Sequence, residues 1–152
     1  MKRKFSEINQ LGFVVRDTAR TANAFQVLFD AEPPVTFDAT VTQDSTGQPI
    51  PSYEIRLAFL TLREFQLEFI QVLNGRPAIY CDFLDQCGEG LHHIAVNVPN
   101  LDTTLQQTKA AGLRILWSGN IYGTRWAYLD TAASLGTILE LIEIRPPQPS
   151  GT

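Results

Sequence analysis

Apolar residues along this chain fall into short β-rich runs parted by polar turns, and twice the pattern changes to a helical period. Residues 8–17 read as a strand ending at Asp17, a residue suited to cap a helix. Ala22, Phe25 and Phe29 then share one helical face. Residues 91–100 repeat the strand-and-cap pattern at an offset of 83 positions, which sets Gln10 on His93 and Asp17 on Asn100. A second helix is predicted beyond it, with Leu101, Leu105 and Thr108 on one face and Gly112 placed to end it. Later runs also match. Leu57-Ala58-Phe59-Leu60 resembles Trp126-Ala127-Tyr128-Leu129, and Gln66-Leu67-Glu68-Phe69-Ile70 resembles Ile138-Leu139-Glu140-Leu141-Ile142. Between them, residues 38–51 are polar and read as a hairpin or a mobile loop.

An internal repeat changes the expected architecture. Each copy reads β-α-β-β-β, over about 6–73 and about 90–145, with a linker at 74–89 that holds a short helix near 78–86. The tail 146–152 is expected to be disordered, because Arg145-Pro146-Pro147 cannot continue a strand. The expectation is one α+β domain over residues 1–152, in which two tandem βαβββ modules form a curved mixed sheet whose open face is a cleft.

Composition narrows the function. A hydrophobic share of 44% and a charged share of 18% are those of a globular protein. The net charge of −4, with no basic stripe, argues against nucleic acid as a partner. No apolar run approaches the ~20 residues of a membrane span. The basic start Met1-Lys2-Arg3-Lys4 is not followed by the apolar stretch of a signal peptide. A cytoplasmic protein is expected, with Cys81 and Cys87 as reduced thiols rather than a zinc or disulfide pair.

Two carboxylates interrupt apolar strands: Glu68 between Leu67 and Phe69, and Glu140 between Leu139 and Leu141. Such placement is costly unless the group is paired or ligates a metal. Side chains alternate along a strand, so if helices cover the leucine faces both carboxylates face the cleft. The repeat adds Gln10 and His93 at equivalent positions, giving four candidate donors: Gln10, Glu68, His93 and Glu140. Three oxygens and one nitrogen suit one divalent ion, with zinc, manganese, cobalt and nickel all admitted. His92 and His93 are adjacent and are expected to face opposite ways, so a site with two histidines and one carboxylate is not expected. Glu54 is either an outward partner of Arg56 or a second acid/base facing Glu140 across the cleft.

These residues resemble the vicinal oxygen chelate superfamily, which holds glyoxalases, epimerases, extradiol dioxygenases and bleomycin-resistance proteins. The resemblance covers about 8–144. It is carried most by Gly90-Leu91-His92-His93-Ile94-Ala95 and Gly136-Thr137-Ile138-Leu139-Glu140-Leu141. Leu67-Glu68-Phe69-Ile70-Gln71, Tyr80-Cys81-Asp82-Phe83-Leu84 and Gly88-Glu89-Gly90 look most like methylmalonyl-CoA epimerase and its glyoxalase-like relatives. The resemblance implies His93 and Glu140 as metal ligands, Glu68 as a third, Glu140 also as acid/base, and Glu54 as a catalytic carboxylate. The epimerases usually have His where this chain has Gln10. Zinc-type glyoxalase I has the order Gln, Glu, His, Glu found here.

The resemblance implies a metal-dependent epimerase or isomerase that abstracts the proton α to a carbonyl or thioester. Glu54 and Glu140 would exchange the proton, on a small carbonyl or acyl-thioester substrate. A glyoxalase I-like lyase is the near alternative, and the resemblance admits a homodimer. A different class also fits: a metal-free small-molecule binding or resistance protein, with Phe37, Tyr53, Phe59, Trp117, Tyr122 and Trp126 lining the cleft.

Overall fold

The computed structural model describes residue 5 and residues 7–143. The tail expected at 146–152 and residues 144–145 of the second expected module lie outside them, as does residue 6 of the first. The first half runs β1 (Gln10–Val14), α1 (Thr18–Phe29), β2 (Val35–Gln43), β3 (Pro49–Leu62) and β4 (Phe65–Asn74). Helix α2 (Ala78–Cys87) leads to the second half: β5 (Gly90–Asn97), α3 (Leu101–Ala110), β6 (Ile115–Ile121), β7 (Thr124–Leu129), a short α4 (Ala132–Leu135) and β8 (Ile138–Glu143). The fold is α+β and glyoxalase-like, a β-α-β-β-β order met twice. The eight strands form one mixed sheet in the order β2-β3-β4-β1-β5-β8-β7-β6. β1 runs parallel to β4 and β5 to β8, and the halves join through the antiparallel pair β1–β5.

Both long helices start as the sequence suggests. The Asp17 side chain accepts from the Arg20 N–H at 3.0 Å, and that of Asn100 from the Thr103 N–H at 2.8 Å. Ala22 and Phe25 of α1 pack on Ala58, Leu60, Leu67 and Phe69. Leu101 and Leu105 of α3 pack on Val96, Leu139 and Leu141. Phe29 shares that face and stacks on Phe25 at 5.8 Å, but it is 57% exposed because the chain leaves the helix one residue later at Asp30, in the left-handed region. With the leucine faces under helices, the pleat turns Glu68 and Glu140 to the other face of the sheet.

Of the two readings of residues 38–51, the structure shows the hairpin. β2 and β3 are long partners, and only residues 44–48 turn. The Asp44 carboxylate holds the turn by accepting from the Thr46 hydroxyl and the Thr46 and Gln48 N–H groups. Ala39 and Val41 are buried while Thr36, Asp38 and Thr40 face out, which is why the segment reads as polar. The sheet curls until its two ends, β2 and β6, touch. The Ser45 N–H donates to Ser118 Oγ at 3.0 Å, and Arg125 donates to the Ser45 carbonyl at 3.2 Å. Among the described residues no helix is long and apolar enough to cross a membrane.

Candidate metal centre

The register of the four central strands gathers the donors. Gly12 on β1 lies opposite both Glu68 on β4 and His93 on β5. Ala95 on β5 lies opposite both Gln10 on β1 and Glu140 on β8. Two neighbouring rungs of the sheet thus carry four donors around two residues with little or no side chain. The space is needed: a Cβ at Gly12 would stand 1.9–2.5 Å from atoms of the His93 ring. The sequence reading missed Gly12 and Ala95, although they coincide under the same 83-residue offset and a glycine inside a strand marks close approach.

His93 is fully buried, and its Nε2 lies 3.2 Å from Glu68 Oε2 and 3.0 Å from Glu140 Oε2. These are ion-pair contacts, and none of the three atoms has a hydrogen-bond partner among the described residues. One donor atom from each of these residues lies within 4.8 Å of the others. Gln10 donates from Nε2 to Gln66 Oε1 at 2.6 Å, which fixes its amide and leaves its buried Oε1 without a partner. Among the described residues five buried side-chain atoms lack a hydrogen-bond partner; one is Asn9 Oδ1, and the other four come from the four residues the repeat singled out. A single divalent cation satisfies such a set, and three oxygens with one imidazole nitrogen suit it.

The adjacent histidines do not face opposite ways. The pairing skips from Gly12–His93 to Phe13–Leu91, so His92 is the extra residue of a bulge. Both rings then gather at Tyr128, with centroids 5.3 and 5.0 Å away. His92 Nε2 lies 3.0 Å from the Ile79 carbonyl of α2, and its Nδ1 lies 3.0 Å from His93 Nδ1. Burial, and then the charge of His93, push His92 down to about 3, so its ring is neutral. The Ile79 carbonyl can only accept, so His92 carries its proton on Nε2 and accepts at Nδ1 from His93. That chain aims His93 Nε2 at the two carboxylates. Both His92 nitrogens are occupied, so one histidine serves the centre for a different reason than simple alternation.

Burial opposes a charge on His93, but Glu140 and Glu68 outweigh it and hold the ring up at about 9. Burial also raises the Glu140 carboxyl, against the pull of His93 and with the help of Glu68. Gln10, Glu68 and Glu140 line a pocket of about 590 Å³, and His93 is buried behind the two carboxylates. Phe37, Phe59, Tyr122 and Trp126 line it as expected of the aromatic set. Tyr53 and Trp117 do not. They join each other through Trp117 Nε1–H donating to the Tyr53 hydroxyl at 3.2 Å. Glu54 is also a correction. It is exposed and forms no part of the pocket wall, because its neighbours Tyr53 and Ile55 both turn inward to the core. It does not face Glu140.

Comparison with known proteins agrees with this fold. The model of the Glyoxalase/Bleomycin resistance protein/Dioxygenase superfamily matches residues 9–128. No curated protein matches the chain by sequence. Among solved structures, the methylmalonyl-CoA epimerase of Mycobacterium tuberculosis is similar with a TM-score of 0.72 at 18% identity, over 96% of this chain and 93% of that one. A Streptomyces coelicolor methylmalonyl-CoA epimerase variant in complex with 2-nitronate-propionyl-CoA has a TM-score of 0.72 at 19% identity, over 96% and 99%. A hypothetical protein of Bacillus halodurans C-125 has a TM-score of 0.68 at 19% identity, over 95% and 98%. At these identities the likeness is one of fold.

Proposed function

The chain belongs to the glyoxalase/bleomycin resistance protein/dioxygenase superfamily, and from that premise we propose a metal-dependent isomerase, epimerase or lyase that removes a proton next to a carbonyl. The observation that carries this reading is the cluster of Glu68, His93 and Glu140, whose donor atoms lie within 4.8 Å of one another without hydrogen-bond partners, together with Gln10 beside an apolar pocket. Gln10, Glu68, His93 and Glu140 would hold one divalent ion, of zinc, manganese, cobalt or nickel. Such an ion supplies positive charge beside a substrate oxygen, which makes the neighbouring C–H more acidic.

The chain's own residues do the rest. The His92–His93 relay keeps His93 Nε2 aimed inward, and Gln66 holds the Gln10 amide. Glu140 takes the α-proton, and the C–H electron pair shifts toward the carbonyl oxygen. Return of the proton by Glu140 to the adjacent carbon gives an isomerisation. If Glu68 enters the cycle protonated from solvent, it gives that separate proton to the opposite face while Glu140 keeps the one it removed, and the result is an epimerisation. A positioned base contributes about 10²–10⁴-fold. Glu68 replaces Glu54 as the second carboxylate here, because Glu54 lies on the outer face. The apolar walls exclude bulk water from the exchanging proton. The substrate class is a small carbonyl compound or an acyl thioester. The free thiols Cys81 and Cys87 fit a cytoplasmic protein, and a homodimer belongs to the same proposal.

The test is elemental analysis of untagged protein, with Glu140→Ala beside it, followed by solvent-deuterium exchange at the α-carbon of carbonyl probes. About one divalent ion per chain, lost in the variant, is the expected result. Protein that takes up no zinc, manganese, cobalt or nickel sinks the reading and favours a metal-free binding protein.

A further inference from the structure

We infer that the ligand of this pocket is a neutral, largely apolar carbonyl compound that carries a further oxygen acceptor, and not a polyanion such as an acyl-CoA. The inference rests on the metal-dependent reading above and narrows its substrate class.

Charge gives the first argument. Glu64, Glu68 and Glu140 are the charged side chains on the pocket wall, and among the described residues no lysine or arginine lines it. A divalent ion on the floor would be balanced by Glu68 and Glu140. No positive charge then remains for a carboxylate or phosphate, and Glu64 repels one. The arginines with partners are engaged elsewhere: Arg20 with Glu89, Arg56 with Asp38, Arg76 with Asp82, Arg114 with Asp130, and Arg125 with Glu143 and Asp102. An anion entering this chamber would lose its hydration without a counter-charge.

The walls give the second argument. Phe37 and Phe59 present a pair of rings 5.9 Å apart, and Ile55, Leu57 and Trp126 continue the apolar surface. A volume of about 590 Å³ suits a compound of drug size rather than a long nucleotide-bearing thioester. The third argument concerns polarity. Tyr80 and Tyr128 both line the pocket, and their hydroxyls lie 3.0 Å apart with no other partner among the described residues. A bond between two phenols uses one proton, so one O–H remains for an oxygen acceptor on the ligand. A neutral oxygen acceptor fits that position, and a ligand made of hydrocarbon alone leaves it unsatisfied.

The experiment is calorimetric titration of the full chain, loaded with manganese or zinc, with 1-phenyl-1,2-propanedione and separately with malonyl-CoA. The metal content of each sample is measured in parallel. The dione is expected to bind at least tenfold more tightly than malonyl-CoA. Phe59→Ala should weaken the dione by about tenfold while metal content and thermal midpoint hold. Equal or tighter binding of malonyl-CoA overturns the inference, and so does failure of the metal-loaded protein to bind either compound. If the chain takes up no metal, the proposed function fails separately. The same titration on metal-free protein then upholds the neutral ligand class if the dione keeps its tenfold preference and overturns it if it does not.

Discussion

In the first half of the chain, β1 and β4 bring Gln10 and Glu68 to the floor, with Gly12 clearing space. In the second, β5 and β8 bring His93 and Glu140, with Ala95 in the equivalent place. The halves part company in their walls. β2 and β3 have 9 and 14 residues, whereas β6 and β7 have 7 and 6. The long hairpin supplies Phe37, Ile55, Leu57 and Phe59 to one wall and reaches across to the other half through Ser45. The short one supplies Ile121, Tyr122, Thr124, Trp126 and Tyr128 to the other wall. The duplicated part is the donor floor and the divergent part is the ligand wall. Floor variants should therefore change metal content, and wall or hairpin variants should change ligand binding or stability with the metal retained.

The largest expected effect sharpens the floor side of this contrast. His93→Ala removes the only nitrogen donor and leaves Glu68 and Glu140 buried beside each other. Elemental analysis should find the metal lost, with α-proton exchange down by at least 10²-fold. His92→Phe keeps an aromatic ring against Tyr80, Phe83 and Tyr128 but gives His93 Nδ1 no acceptor. Metal affinity should fall about 10–100-fold, the usual result of losing the partner that orients a ligating histidine. A competition titration against a chromogenic chelator measures it. An unchanged affinity would remove the relay from the account.

How much of this was legible in the sequence follows from the same contrast. The repeat made the donor set readable, because Gln10 and His93 share an offset and Glu68 and Glu140 interrupt matching apolar runs. The caps at Asp17 and Asn100 were readable because a cap needs only local chemistry. What depends on partners was not. The bulge at His92 exists only in the pairing of β1 with β5, and strict alternation misplaced that ring. Glu54 kept the look of a second acid/base until the burial of Tyr53 and Ile55 fixed which way it points. The polar face of β2 disguised a strand whose other face is buried.

Arg125 tests the wall side. It is buried, donates to Glu143 and Asp102, and anchors the Ser45 carbonyl of the hairpin. Arg125→Met should destabilise the chain by about 3 kcal/mol, as expected for removing one partner of a buried pair. Chemical denaturation reads the loss, and the refolded protein should still take up its metal. Gly12→Ala belongs to the floor again and should cost about 1–3 kcal/mol as an overpacked site. Unlike Arg125→Met, it should also lower metal affinity, because the new methyl must displace the His93 ring. Ala95→Gly, the mirror substitution, leaves the ring in place and should keep the metal. Equal metal loss in both variants would mean that space at the centre is not what holds His93.

The smallest effect isolates the seam between the halves. Ser118→Ala deletes the hydroxyl that accepts from the buried Ser45 N–H and touches neither floor nor ligand wall. The loss should be about 1 kcal/mol, the ordinary net value of one such bond. For a chain of this size that corresponds to a fall of about 2–4 °C in thermal midpoint. Metal content and α-proton exchange should stay as they were. If this variant instead released the metal, the curl of the sheet that brings β2 against β6 would be coupled to the donor floor. The two halves would then form one cooperative unit across the seam as well as across the β1–β5 pair.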